Sequence, residues 1–488
     1  MIFIDGTAVN VALPVLQRDL SAGADALQWV IEGYSLFLSA LLLLGGALGD
    51  RYGRRMTFAV GIVLFAAASI ACGLSQNVAM LIVARCVQGI GGALATPGSL
   101  ALITAAYSGA ARGRAIGTWS AASAMTAAAG PVLGGWLAQV GSWRLVFFIN
   151  IPLAVLVLVA LYFVSESRDS TAPAELDFAG ASLATAGLGS LVYGLIGVQP
   201  GTPAPYAGWA IAGGLVLLGL FVGRERFSAN PMVPPGLFRS RAFSVANVYT
   251  FLLYGAMGGS LYFLPFDLIN VQGYSPAAAG AAILPLVFII ASFSRLAGGS
   301  VARFGARPLL TAGASFAAMG SVLYAFSGIG HPYWMSFLLP SIALGTGFAF
   351  LVAPLTTTVM DAGQAHGGVA SGVNNAVSRV ASLIAVAAFG IVLGVVFDRT
   401  FDASLGARSG VSAATRAAIE RDRAQIAAGQ VPADIADPQQ QKLVHTAVRS
   451  SYQRGFAAVM LVAAGLSLSG ALLVFILLPA DVERVRRA

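Results

Sequence analysis

Fourteen mostly apolar stretches follow one another along this 488-residue chain. Each is close to the roughly 20 residues a helix needs to cross a hydrocarbon layer about 30 Å thick. Hydrophobic residues make up 57% of the sequence and charged residues 10%, against about 25% charged in an ordinary soluble domain. Mean hydropathy is +0.81. A soluble globule could not hide that much apolar surface, because too much of it stays outside whatever the shape. Lipid is the solvent this composition requires, so the expectation is an all-α, multi-pass membrane protein of fourteen spans.

The remaining composition excludes several functions. Cys72 and Cys86 lie in apolar runs and read as small buried hydrophobes rather than a disulfide framework. His331, His366 and His445 are widely separated, so no metal site is expected. Lys442 is the single lysine among 28 cationic residues. A phosphate-binding loop needs a Gly-Lys pair, and neither that pair nor a zinc-protease or nucleophile-elbow signature is present. The chain reads as no enzyme, with no cofactor.

Arginine placement sets orientation. Counted from an inside N-terminus, the inside loops and tail hold Arg51, Arg54, Arg55, Arg112, Arg114, Arg168, Arg224, Arg226, Arg239, Arg241, Arg303, Arg307, Arg484, Arg486 and Arg487, against Arg18 and Arg144 outside. This bias predicts cytoplasmic termini. The net charge of +8 then reflects topology rather than nucleic-acid binding. The first span carries Asp5 four residues from Met1, too early for a full crossing, so the expectation is a start lying upstream, the other reading being a partly apolar helix embedded against its neighbours. Residues 399–450 form the only long polar stretch and are expected outside, with an amphipathic helix near 412–428.

The run Gly46 to Arg55 (GALGDRYGRR) recurs as Gly298 to Arg307 (GGSVARFGAR), aligned on Gly53 and Gly305. Such duplication marks many transporters. The expected division is a six-helix bundle over 1–165, a linker with two extra spans over 166–228, spans 9–13 over 229–398, the polar loop, and a last span with tail over 451–488.

With these motifs in view, the chain resembles the major facilitator superfamily, in its fourteen-span drug:proton antiporter branch (EmrB/QacA type). Asp5 to Pro14 (DGTAVNVALP) resembles the branch's first-helix signature. Gly46 to Arg55 resembles the cytoplasmic loop motif, Leu81 to Gly92 (LIVARCVQGIGG) the fourth-helix motif, and Gly130 to Gly135 (GPVLGG) the fifth-helix antiporter motif. Trp143-Arg144, Phe148 to Pro152 and Gly367 to Arg379 fit the same branch, while Thr126 stands where a leading glycine is usual.

Several of these residues suit proton-coupled export. Arg85 lies about 10 Å down the fourth span and Glu32 about 8 Å down the second, so the two are expected to share a depth layer. A carboxylate there feels desolvation and the guanidinium in opposite directions, which suits loading and releasing a proton; a static ion pair fixing register is the other reading. Asp5, deeper, is a second candidate for the proton or a cationic ligand, or a structural carboxylate. Asp267 is expected at the interface. Gly46, Asp50, Arg51, Gly53, Arg54 and Arg55 form a candidate cytoplasmic gate, and Gly130, Pro131, Gly134 and Gly135 a rigid bend or a packing kink. Asn10, Trp29, Tyr34, Phe263, Phe266, Asn374, Asn375 and Arg379 are candidates for lining a cavity, with interhelical hydrogen bonding the other reading for Asn374, Asn375 and Arg379 and core or lipid packing that for the aromatics; Arg295 is a further embedded cation.

The function expected is a proton-coupled efflux antiporter for small lipophilic or cationic drugs or antibiotics. It would work by alternating access in the cell membrane, as a monomer, with a small-molecule substrate, protons and the bilayer as partners. A dedicated exporter of one native metabolite and a non-transporting membrane sensor on the same fold are the alternatives.

Overall fold

A computed structural model describes the chain except for residues 108, 169–176, 199–203, 229–230, 234, 363–366, 407–410, 422–425, 427–434, 436 and 480–488. Among the described residues every regular element is helical. Helices α1 (Ile2–Leu20), α2 (Ala24–Tyr52), α3 (Arg54–Gly73), α4 (Val78–Ala106), α5 (Gly109–Val140), the short α6 (Leu145–Phe148) and α7 (Asn150–Tyr162) form a first group. A hairpin of α8 (Phe178–Ile196) and α9 (Ala207–Phe227) follows. After a 3-10 turn at Pro235–Arg239 come α10 (Arg241–Phe266), α11 (Pro276–Phe304), α12 (Ala306–Ala325), α13 (Leu339–Ala362), α14 (Gly367–Gly406), α15 (Ala413–Arg421) and α16 (Pro438–Leu477). Helix α10 runs on into a π segment at Asp267–Val271, and a second π segment, Trp334–Leu338, leads into α13.

Twelve segments among the described residues are long and apolar enough to cross a membrane. Helices α1 and α5 are the two expected spans outside that set. The first carries Asp5, Gln17, Arg18 and Asp19, and the second is dominated by Ala, Gly, Ser and Thr, so both fall short in apolar length. Both nevertheless pack within the bundle. The polar stretch at 399–450 is shorter as a loop than expected. Helix α14 reaches Gly406 and α16 starts at Pro438, so helix enters it from both sides. Of the amphipathic helix expected near 412–428, α15 is the described part. Arg484, Arg486 and Arg487, and the side chains of Arg112, Arg114 and Arg295, lie outside the described residues.

Helix starts follow local chemistry. Asn77 accepts the Met80 amide at 2.8 Å to cap α4, and Asp177 accepts the Gly180 amide at 2.8 Å to cap α8. Ser275 and Asp437 cap α11 and α16, each with proline at the first helical position. A side-chain oxygen satisfies a free amide there, and proline has no amide to leave unpaired.

The sequence repeat is a structural one. Gly53 (φ 125°) separates α2 from α3, and Gly305 (φ 81°) separates α11 from α12 in the same way. Positive φ favours glycine at both turns. Arg51 lies 5.3 Å from the Tyr52 ring centroid in the first copy, and Arg303 lies 5.2 Å from that of Phe304 in the second.

The α8–α9 hairpin sits against both groups. Leu188, Val192 and Ile196 of α8 pack with Leu36 and Ala40 of α2 and with Leu383 and Ala387 of α14. Trp29, expected to line a cavity, faces this hairpin instead, with its ring 6.1 Å from Tyr193.

Candidate functional site

The expected pairing of Arg85 with Glu32 is not what forms. Arg85 Nη1 donates to Asp5 Oδ2 at 2.5 Å and to Gln88 Oε1 at 2.6 Å, and Nε donates to the Val30 carbonyl at 3.0 Å. The other Asp5 oxygen accepts from Gln88 Nε2 and from Asn150 Nδ2, both at 3.0 Å. Ser69 Oγ accepts from Gln88 at 2.7 Å and Asn150 at 3.3 Å. Asp5, Ser69, Arg85, Gln88 and Asn150 are all fully buried. Helices α1, α3, α4 and α7 thus close one polar network, with an α2 carbonyl as a further acceptor. Counting residues from helix ends had placed Arg85 beside Glu32. That count ignores helix tilt and the reach of an arginine.

Glu32 is equally buried, at 0% exposure, but neither carboxylate oxygen has a hydrogen-bond partner. It lies within Coulombic reach of Tyr262, on α10 in the other group. Nearby on α2, Gln28 sits directly against Gly390 of α14. Glu32 therefore stands at the seam between the two helical groups rather than inside the first.

Tyr34 bridges from the network toward this seam. Its ring centroid lies 4.2 Å from the Arg85 guanidinium carbon, its hydroxyl is buried without a partner, and Arg379 of α14 is within Coulombic reach. Tyr254 of α10 is also near Arg379. Asn374 Nδ2 donates to Thr250 Oγ1 at 2.6 Å and Asn247 Oδ1 at 3.2 Å, so it ties α14 to α10, while Asn375 is exposed. Asn10 keeps a buried, unpartnered side-chain oxygen on α1. Phe263 and Phe266 are buried and cluster with Tyr262, at centroid distances of 4.7 and 5.7 Å, as core packing rather than an open wall.

Asp267, expected at the interface, is fully buried at the start of its π segment. Gln272 Nε2 donates to its Oδ2 at 3.4 Å, and Oδ1 has no partner. A π turn carries an extra residue and often marks a working position.

The glycines of the fifth-helix motif serve two contacts. A methyl at Gly134 would strike the α1 backbone at Ala8, and one at Gly130 would strike Thr7. One at Gly135 would strike the Pro276 carbonyl of α11, and one at Gly280 of α11 would strike the Pro131 carbonyl. Helix α5 remains assigned as one helix through Pro131. This end of the molecule, opposite the arginine-rich loops, is also joined by Arg18 Nη2 donating to Asn270 Oδ1 at 3.2 Å.

On the arginine-rich face, Arg54 Nε donates to Asp50 Oδ1 at 2.8 Å. Glu166, a residue the sequence reading missed, accepts the Arg55 and Met56 amides at 2.9 and 3.1 Å and packs against Gly53. A methyl at Gly53 would meet its carboxyl carbon at 2.7 Å. The gate motif is thus held within the first group, at the start of α3. Gln88 and Asn150 were each visible inside quoted motifs, but only the fold brings them to Asp5.

Two helical groups meeting along an interior seam, with ionisable side chains enclosed at and beside it, define a multi-pass membrane transporter of small molecules, not an enzyme. The chain belongs to the Major Facilitator Superfamily, whose description matches residues 1–386. It is 38% identical over 381 residues to multidrug resistance protein Stp of Mycobacterium tuberculosis, covering 76% of this chain and 69% of that protein. It is 35% identical to the tetracenomycin C resistance and export protein of Streptomyces glaucescens (76% and 69% covered) and to the methylenomycin A resistance protein of Bacillus subtilis (76% and 80%). Among solved structures, an inward-facing bacterial homolog of the human lysosomal transporter Spinster aligns with TM-score 0.65 at 18% identity, covering 96% of this chain and 94% of that one. A D-xylose–proton symporter aligns at 0.60 and 16% identity, covering 98% and 95%. At such identities these two structures speak for the fold alone.

Proposed function

We propose that this chain is a proton-coupled efflux antiporter of the fourteen-span branch, exporting small lipophilic or cationic drugs or antibiotics across the cell membrane. In this reading α1 and α5 also cross, which brings the spans to fourteen and puts both termini on the arginine-rich, cytoplasmic face. The relatives named for drug resistance support the cargo class.

Glu32 carries the coupling argument. An ionised carboxylate enclosed in protein without a single donor is strongly disfavoured, while its neutral acid is tolerated. Glu32 therefore accompanies the present arrangement as the acid, with the seam beside Tyr262 closed. Parting of the two groups would admit water and let the proton leave. Proton occupancy and seam closure are then one equilibrium, which is what coupling requires. Asp5, by contrast, is charge-paired and accepts two further hydrogen bonds, so it acts as the anchor of Arg85.

A potential of ~100 mV supplies about 2.3 kcal/mol per charge moved. The test is dye efflux driven by a pH gradient in inverted vesicles, comparing wild type with Glu32→Gln. Uncoupler-sensitive efflux that survives in the variant overturns the assignment. A dedicated exporter of one metabolite is the second reading, favoured by relatives named for single antibiotics; a substrate panel separates it. A membrane sensor without transport would show no wild-type efflux in the same vesicles.

A further inference from the structure

A cleft of about 930 Å³ opens on the arginine-rich face between the end of α9, the 3-10 turn at Pro235–Arg239, and the flanks of α10 and α14. Its apolar wall includes Phe221 and Val222 of α9, Val233, Phe251 of α10, and Val377 and Val380 of α14. Arg226 and Arg239 also line it; both are exposed, and neither is in an ion pair among the described residues.

The cleft is built rather than incidental. Arg224 Nε donates to Asp177 Oδ1 at 2.8 Å, which fixes the end of α9 to the start of α8. The Val233 amide donates to Glu225 Oε2 at 2.8 Å, which fixes the connecting segment to α9. Glu225 borders the cleft too, but it is 3% exposed. Its Oε1 lies with Asp177 Oδ2 over Gly180, 2.9 and 2.5 Å from where a methyl there would sit. Glu225 is thus turned into the scaffold, with one oxygen on the Val233 amide and the other toward Asp177, and the exposed charges lining the cleft are the two arginines.

We propose that this cleft binds an acidic phospholipid, its headgroup phosphate between Arg226 and Arg239 and its acyl chain along the valine and phenylalanine wall. Two exposed guanidiniums in no ion pair among the described residues, on the arginine-rich face, call for an anion, since basic pockets between membrane helices on the cytoplasmic side take acidic headgroups. The apolar wall behind them calls for a hydrocarbon tail, which a free phosphate lacks. A lipophilic cation would meet the same guanidiniums as repulsion. The bound lipid joins the inserted hairpin, through α9, to α10 and α14 of the second group. The inference is independent of proton coupling.

Native mass spectrometry of the full-length protein, released from detergent with phosphatidylglycerol or phosphatidylcholine, tests this. Phosphatidylglycerol adducts should survive collision energies that strip phosphatidylcholine. An Arg226→Gln/Arg239→Gln double variant should lose that retention by at least about fivefold. Arg303→Gln, an exposed arginine outside the cleft lining, should leave it unchanged, whereas Val377→Trp, which fills the wall but keeps both arginines, should reduce it. Equal retention of the two lipids by the wild type overturns the proposal whatever the variants do. So does full retention in the double variant, equal competition by glycerol phosphate, or preferential retention of tetraphenylphosphonium.

Discussion

Arg85 of α4 and Asp5 of α1, eighty residues apart in sequence, meet at 2.5 Å with neither side chain reaching solvent. Breaking a buried pair from one side leaves a charge without compensation, at a cost of about 3–5 kcal/mol. Asp5→Leu and Arg85→Met should each lower the thermal unfolding midpoint in detergent, and Asp5→Leu/Arg85→Met should recover much of the loss. Strict additivity of the singles in that cycle would show that the pair is not the unit.

Replacing Glu32 should behave differently. Its amide analogue matches the neutral acid in shape, so Glu32→Gln should unfold within about 1 kcal/mol of wild type, as substitutions that break no pairing do. In vesicles it should exchange substrate down its own gradient yet ignore an imposed pH gradient. A drop in stability as large as that of Asp5→Leu would make Glu32 structural instead.

Gly135 and Gly280 let α5 and α11 touch backbone to backbone across the seam. Gly135→Val should disfavour that contact by about 1–3 kcal/mol, a shift of roughly 5- to 150-fold. Cysteines at Gln139 and Ala277, whose native contact is 3.4 Å from side chain to amide, should then cross-link correspondingly less. Unchanged cross-linking would mean that the glycines do not govern closure.

Burial pushes the Asp177 carboxyl upward, but the Gly180 amide and the Arg224 guanidinium outweigh it and hold the group below its usual range. A depressed carboxyl stabilises the fold fully above its ordinary value, and that contribution fades as pH falls through the folded one. The first turn of α8 should therefore keep its hydrogen-exchange protection at neutral pH and lose it only below about pH 4. Arg224→Ala should move the loss to higher pH. Identical profiles in variant and wild type would leave the Asp177–Arg224 bridge without a role.

The proposed orientation makes a labelling prediction. Single cysteines at Ser21 and Gln76 should react with an impermeant maleimide from outside whole cells, and one at Ser165 only after permeabilisation. Protection of Ser21→Cys from outside would overturn the proposed orientation.

Much of the fold was legible because lipid imposes one length and one periodicity on every span. The duplicated turn at Gly53 and Gly305 was legible too, since a positive φ constrains the residue type as well as the position. The site was only half legible. Asp5, Glu32 and Arg85 stood out because charge inside apolar sequence demands an explanation. Which carboxylate the guanidinium takes depends on how α1, α2 and α4 lean, and no local spacing encodes that. Trp29 misled because an aromatic beside a polar run suits a cavity and a helix seat equally well; Tyr193 decides it. That Asp267 is enclosed was not legible, because a residue near the end of an apolar run gives no sign of the π turn and the neighbours that bury it.

The seat of the α8–α9 hairpin has a mechanical corollary. Because α8 touches α2 from one group and α14 from the other, the hairpin could not ride rigidly on both if the groups rotate apart as alternating access requires. One of its two apolar seams has to slip at each stroke. In such a cycle the added helices would act as a brake shoe on the rocking motion, and side-chain size at Leu188 and Val192 would be a dial for turnover speed rather than for what is carried.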